Sequence, residues 1–226
     1  MLTAKISEIF FSIQGEGIYL GTGHLFIRFF GCNIKCAYCD TDKNKFKQYS
    51  AQELTGAVDK LVKKHKVKYI SLTGGEPLLQ TEFVALFLKK LKLDKLKIYL
   101  ETNGLLCSDF ARIKKYIDIV AMDFKIPSAT GLAAFWAEHQ RFLKAAKNKK
   151  VFVKAVVGLK TKSAEIKKAA KIIAAVDKDI ALVLQPVAQQ LSDKLIKKTM
   201  LWQAMAQQDL TDVRVIPQVH KLIGVH

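Results

Sequence analysis

The sequence predicts an α/β fold built on a parallel sheet, either doubly wound or rolled into an open or closed barrel. Three observations carry that expectation. Half of the 226 residues are apolar, so a sizeable core is available to one large domain or two small ones. Short runs rich in Val, Ile, Tyr and Phe alternate with helical patterns along the chain, and such alternation favours parallel pairing with right-handed crossovers. No low-complexity tract, internal repeat or Pro/Ser-rich linker breaks the alternation, so a single domain over 1–226 is expected.

In chain order, strands are read at HLFIRFF (24–30), VKYISLT (67–73), KIYLET (97–102), IDIVAMD (117–123), KVFVKAVV (150–157) and IALVLQ (180–185), from their β-branched and aromatic content. Helices are read at 51–65, 81–92, 108–115, 131–147, 163–177 and 192–208, several opening on Ser, Thr or a nearby acid as an N-cap requires. TDVRVIP after the last helix supplies a seventh strand, and the opening KISEIFFSI an additional one at the edge.

Ligands of parallel α/β folds sit at the carboxyl ends of the strands. The segments leaving those ends are GCNIKCAYCD, GGEP, NGL, FKIP, GLK and PVA. Cysteine, glycine and polar residues therefore gather on one rim.

Charge and hydropathy narrow the class. A net charge of +17 suits a nucleic-acid partner, yet only four of the 37 basic residues are arginine and the lysines recur at helix-surface spacing. That pattern is a solvated surface, and no nucleic-acid partner is expected. No apolar run approaches the roughly 18–20 residues of a membrane span, and the start MLTAKISEIFF has no basic segment followed by a long apolar one. A cytoplasmic protein without a membrane partner is expected. In a reducing compartment, clustered cysteines hold metals or do chemistry more often than they form disulfides.

Cys32, Cys36 and Cys39 are spaced C-x3-C-x2-C on one loop. Three thiolates can each bind one corner of a 4Fe-4S cubane, which ordinarily takes four cysteines, leaving one iron open to another ligand. Zinc held by three cysteines and a histidine is the alternative, with His24 or His65 as the fourth ligand. Cys107, 68 residues after Cys39, reads as an ordinary packed thiol.

The cysteine spacing, with Tyr38 before the last thiol, resembles the signature of the radical S-adenosylmethionine (SAM) superfamily, and Gly74-Gly75-Glu76-Pro77 resembles its SAM-binding motif. The resemblance implies an incomplete, open α/β barrel of about six parallel strands. It also implies that SAM chelates the open iron and that the reduced cluster cleaves it to methionine and a 5'-deoxyadenosyl radical. Gly74, Gly75 and Glu76 would meet SAM, with Tyr38 and Asp40 beside it. Asp123 and Lys125 would pair with its hydroxyl and carboxylate groups, and Gln185 would add a contact.

Gln14-Gly15-Glu16-Gly17, Arg28, Cys39-Asp40-Thr41 and the tail Pro217-Gln218-Val219-His220-Lys221-Leu222 are similar to the 7-carboxy-7-deazaguanine synthase family. Such enzymes convert 6-carboxy-5,6,7,8-tetrahydropterin to 7-carboxy-7-deazaguanine in queuosine biosynthesis, losing ammonia and regenerating SAM. By that resemblance Gln14 and Glu16 would bind the pterin, Arg28 its acid, and Thr73 would also touch it. Thr41 would ligate a Mg2+ ion bridging to the substrate carboxylate. A homodimer and an electron-donor protein such as flavodoxin or ferredoxin are implied as well.

The stretch Met122-Asp123-Phe124-Lys125-Ile126-Pro127 departs from the Ser-Pro-Lys common at this point. Asp-x-Lys also resembles activating enzymes of glycyl-radical systems, whose substrate is a protein. A lysine-rich, zinc-stapled nucleic-acid-binding protein stands as the third reading.

Overall fold

The computed structural model describes residues 2–39, 45–91 and 95–225. Nine strands among them form one sheet: β1 (Thr3–Ile13), β2 (Gly23–Phe29), β3 (Lys47–Ser50), β4 (Tyr69–Gly74), β5 (Lys97–Thr102), β6 (Ile119–Asp123), β7 (Lys150–Val157), β8 (Leu182–Pro186) and β9 (Val213–Val215). Their order is β3-β1-β2-β4-β5-β6-β7-β8-β9. Every neighbouring pair from β2 to β9 is parallel, whereas β1 runs antiparallel to both β2 and β3. The sheet ends on β3 at one side and β9 at the other, so the barrel is open.

The parallel part has seven strands among the described residues, where about six are expected for the barrel: the seventh strand read at TDVRVIP joins it as β9, pairing with β8 over three residues. β3 escapes the sequence pattern: KQYS is polar, and as an outermost strand it needs only one neighbour.

The helices are α1 (Ala51–His65), α2 (Thr81–Lys90), α3 (Cys107–Ile113), α4 (Pro127–Thr130), α5 (Trp136–Ala146), α6 (Ser163–Ala174), α7 (Asp193–Ala206) and α8 (Val219–Leu222). Ser50 begins α1 with a capping box: its hydroxyl accepts from Glu53 N at 3.3 Å and its own N–H donates to the Glu53 carboxylate at 2.8 Å. That exchange satisfies two backbone donors otherwise lost at a helix start. The helix expected over 131–147 starts later. α4 closes at Gly131, whose φ of +74° favours a residue without Cβ, and α5 begins afresh at Trp136. The expected end of the second helix at residue 92 lies outside the described residues.

Strand alternation divides the sheet into two surfaces. On the outer one Leu25, Ile27, Ile70, Leu72, Leu100 and Val120 are fully buried in the main core with helix residues such as Leu54, Phe87 and Phe110. On the inner one the amino-terminal halves of the strands carry an aromatic plug. The His24 ring stacks on Tyr69 at 4.7 Å, and Tyr19 meets Tyr99 edge-on at 5.6 Å. Gly17, at φ +67°, lets the Phe152 ring occupy the space a Cβ would need, 2.6 Å away. Two residues further along each strand the inner surface turns polar: Thr73, Glu101, Asp123 and Lys154 replace Ser71, Tyr99, Ala121 and Phe152.

Candidate active site

A cavity of about 1200 Å³ opens above the plug at the carboxyl ends of the strands. It is walled by the cysteine loop on one side and by residues of β1, β2 and the carboxyl-terminal tail on the other.

The cysteine loop is tied to its neighbours by backbone and amide contacts. Gly75 N donates to Phe29 O at 2.9 Å and Glu76 N to Gly31 O at 2.8 Å, stitching the turn after β4 onto the loop after β2. This explains the paired glycines: a Cβ on Gly75 would stand 1.8 Å from Gly31 O, and one on Gly74, at φ +120°, 2.3 Å from Phe29 O. Ala37 N donates to Thr130 O at 2.9 Å, and the Asn103 amide donates to Asn33 Oδ1 at 2.7 Å and approaches Cys32 Sγ at 3.9 Å. Asn103 thus ties the segment after β5 to the cysteine loop. Cys32, Cys36 and Cys39 all line the cavity, and burial raises the thiol pKa of Cys32 and Cys36.

Cys107 opens α3, away from the cavity wall, with Sγ 3.8 Å from Arg141 O. His24 and His65 do not complete a zinc site with the loop. The His24 imidazole is held between Thr22 Oγ1 at 2.9 Å and Ser71 Oγ at 2.7 Å, and burial lowers its pKa to about 4. His65 stacks on Phe11 at 4.4 Å.

Glu76 lies behind the loop rather than on the cavity wall. Its carboxylate accepts from Leu78 N at 3.1 Å, Thr102 Oγ1 at 3.0 Å and Asn103 N at 2.8 Å. Burial pushes its pKa up to about 7 against those three donors. Its side chain braces the turn that presents Gly74 and Gly75. Pro77 starts a single turn over Pro77–Gln80, as its fixed φ suits.

Among the described residues, four buried polar atoms of cavity-lining residues lack a partner: Ser7 Oγ on the β1 side, and Tyr38 Oη, Asp123 Oδ1 and Gln185 Oε1 on this wall. Burying an unsatisfied polar group costs roughly 1–3 kcal/mol, so this wall is built for a polar ligand. Lys125 donates to Asp123 Oδ2 at 2.7 Å and lies 5.6 Å from the Tyr38 ring centre. The chemistry fits a ligand bearing hydroxyl, amine and carboxylate groups.

The opposite wall carries a second polar set. Glu101 accepts from Gln14 Nε2 at 3.0 Å and from Thr73 Oγ1 at 2.7 Å. Glu16 accepts from Lys154 Nζ and from Gln218 Nε2, the latter at 2.7 Å. Burial alone would raise the Glu16 pKa. The charge and hydrogen bond of Lys154, with Gln218 and His220, override it and bring the carboxyl to about 2. Arg28 donates to Glu8 Oε2 at 3.2 Å and lies over the Phe10 ring. A register shift between Ile6 and Glu8 turns the consecutive Ser7 and Glu8 to the same cavity, the re-aiming that bulges produce.

Comparison with known proteins decides the family. The radical SAM superfamily model matches residues 26–177. A 7-carboxy-7-deazaguanine synthase of Geobacter sulfurreducens is 37% identical, covering 98% of this chain and 97% of the relative. One from Archaeoglobus fulgidus is 36% identical over 99% and 100%. The crystal structure of QueE from Escherichia coli superposes with a TM-score of 0.63 at 19% identity, covering 97% of this chain and 96% of that one, a likeness of fold. The chain belongs to the 7-carboxy-7-deazaguanine synthase family of radical SAM enzymes.

Membership makes a 4Fe-4S cluster and SAM its cofactors, and the site accommodates both. Cys32, Cys36 and Cys39 would hold the cluster; Gly74, Gly75, Tyr38, Asp123, Lys125 and Gln185 surround the adjoining space. The Asp-x-Lys departure stays within the family, since the relatives match across the whole chain. Gln14, Glu16, Arg28 and Thr73 share the opposite wall. Asp40 and Thr41 lie outside the described residues. Sequence reasoning passed over Lys154, Gln218 and Asn103 as contributors and left Glu101 and His220 without a role. The signal available for Lys154 was a lone charge inside the otherwise apolar run VFVKAVV.

Proposed function

We propose that this chain is a lyase that converts 6-carboxy-5,6,7,8-tetrahydropterin to 7-carboxy-7-deazaguanine with loss of ammonia, in 7-deazapurine biosynthesis. The carrying observation is one cavity walled both by the three-thiol loop and by Gln14, Glu16, Arg28, Thr73 and Glu101. When bound, the cluster and SAM supply the radical that abstracts hydrogen from the substrate.

The chain's own residues bind and orient. Glu16 and Glu101 are acceptors for the N–H edge of a pterin, and Arg28 is the cation for its carboxylate. Thr73 and Gln14 hold Glu101 from two sides, fixing the direction of its free lone pairs. Asp123, Lys125 and Gln185 take the polar groups of SAM, with Tyr38 beside them. By resemblance to the family, Asp40 would meet SAM and Thr41 would ligate Mg2+. The aromatic plug closes the far end and keeps water out of the base of the cavity.

The continuous sheet supports a single domain over 1–226, and no helix among the described residues is long and apolar enough to cross a membrane. A cytoplasmic location, a homodimer and reduction by a flavodoxin- or ferredoxin-like donor complete the reading. The test is anaerobic: reconstituted protein with SAM, Mg2+, reductant and the carboxytetrahydropterin should release the deazapurine, read by absorbance and mass. Its absence, with the cluster loaded, rejects this substrate.

A further inference from the structure

Lys154 stands on the cavity wall between two carboxylates that belong to different halves of the site. Its Nζ donates to Glu16 Oε2 on the pterin side and lies 3.8 Å from Asp123 Oδ2 on the SAM side. The sheet fixes this placement: Asp123 and Lys154 are register partners across β6 and β7, and Phe124 N donates to Lys154 O at 2.7 Å. All three side chains are largely buried, at 15% exposure for Lys154, 18% for Glu16 and 17% for Asp123.

We propose that Lys154 is a positioning residue that locks Glu16 to Asp123, so that the substrate and cofactor halves of the cavity are set as one unit. The proposal rests on the pterin reading of the cavity.

Charge and hydrogen-bond direction support it. Lys154 faces Glu16, Asp123 and, at longer range, Glu101; Glu16 faces Lys154, Gln218 and His220; Asp123 faces Lys125 as well. Asp123 therefore keeps the Lys125 cation without Lys154, whereas Glu16 keeps the neutral Gln218 amide and the weaker charge of His220, with Tyr38 and Tyr99 nearby. A buried carboxylate that loses its cation takes up a proton instead. Glu16 would then present an O–H where a pterin N–H needs an acceptor. Lys154 thus acts on the substrate through Glu16.

The test compares wild type, Lys154→Met, Lys154→Arg, Glu16→Gln and the Glu16→Gln/Lys154→Met double variant, each cluster-loaded and checked for cooperative melting. Pterin affinity is measured by calorimetry from about pH 5 to 8. Lys154→Met should bind on the order of tenfold or more weakly, since one partner of a buried charge pair has been removed, and should weaken further as pH falls. Lys154→Arg should recover most of the loss by keeping the charge. The double variant should bind no more weakly than Glu16→Gln alone, the non-additivity expected of residues acting as one unit. Wild-type affinity with a wild-type pH profile in Lys154→Met would overturn the proposal, as would additive losses.

A second readout does not depend on the pterin. In protein carrying 13C-labelled glutamate carboxyls, the Glu16 resonance should stay ionised down to about pH 4 in wild type and titrate at higher pH in Lys154→Met. Should wild type fail to bind the pterin, the substrate reading falls while this titration still decides the role of Lys154. If Lys154→Met does not fold, Lys154→Gln takes its place.

Discussion

The two ends of the inner sheet surface share strands and register yet differ in every chemical respect. On β2, His24 at one end is sealed between two hydroxyls, while Arg28 at the other faces the cavity. On β7, Phe152 fills the space over Gly17, and Lys154, two residues on, joins Glu16. The contrast teaches that position along a strand, rather than the strand itself, separates residues that hold the barrel together from those that meet ligands. Parallel strands present their carboxyl ends together, so one layer of side chains carries the chemistry and the layer beneath supports it.

The sharpest way to break the contrast is to remove a residue from the reactive end alone. Cys36→Ala should abolish cluster binding and turnover, read as iron and sulfide content after anaerobic reconstitution, while the thermal melt of the unloaded protein stays close to wild type. A collapsed melt would show that the cysteine loop is structural.

The supporting end should instead answer to acid. Folded His24 has a pKa near 4 against 6.5 for an ordinary histidine, because burial penalises the cation. The unfolded chain therefore takes the proton first, and stability falls as pH drops from about 6.5, the loss being complete below about 4. The shift corresponds to about 3 kcal/mol. His139, buried against Phe124 with its pKa also lowered to about 4, adds a loss in the same window. Urea unfolding at a series of pH values should show this slope, and His24→Phe should flatten part of it. A profile unchanged by that substitution would contradict the assignment.

Arg28→Ala sharpens the reactive end. Losing a charge-assisted contact to a substrate carboxylate costs about 1.5–3 kcal/mol, so the pterin KM should rise on the order of tenfold to a hundredfold. SAM affinity should hold. Equal loss for both ligands would mean that Arg28 only braces Glu8.

The smallest effect belongs outside both ends. Arg112 pairs with Glu82 at 3.1 Å with both side chains more than half exposed. Exposed pairs contribute roughly 0–1 kcal/mol, so Arg112→Ala should change stability by at most about 0.5 kcal/mol and leave turnover unaltered.

Much of this was legible in the chain. Runs of β-branched and aromatic residues marked every described strand but β3, and C-x3-C-x2-C with GGEP marked the reactive rim. The features that escaped did so for physical reasons. KQYS, at the sheet's border, buries too little apolar surface to announce a strand. The two glycines read as room for a ligand, but their first demand comes from the backbone of the loop beside them. Glu76 read as a ligand contact because its motif sits at a strand end, whereas the fold turns its carboxylate onto three donors. Lys154 went unassigned because a single strand does not reveal which of its faces is enclosed; only pairing with Asp123 places it inside.

The most direct measurement counts product against SAM. Reconstituted enzyme given limiting SAM and excess 6-carboxy-5,6,7,8-tetrahydropterin under reducing, oxygen-free conditions should yield 7-carboxy-7-deazaguanine in excess of the SAM supplied, because the proposed reaction regenerates SAM. Accumulation of 5'-deoxyadenosine with no deazapurine would contradict the account.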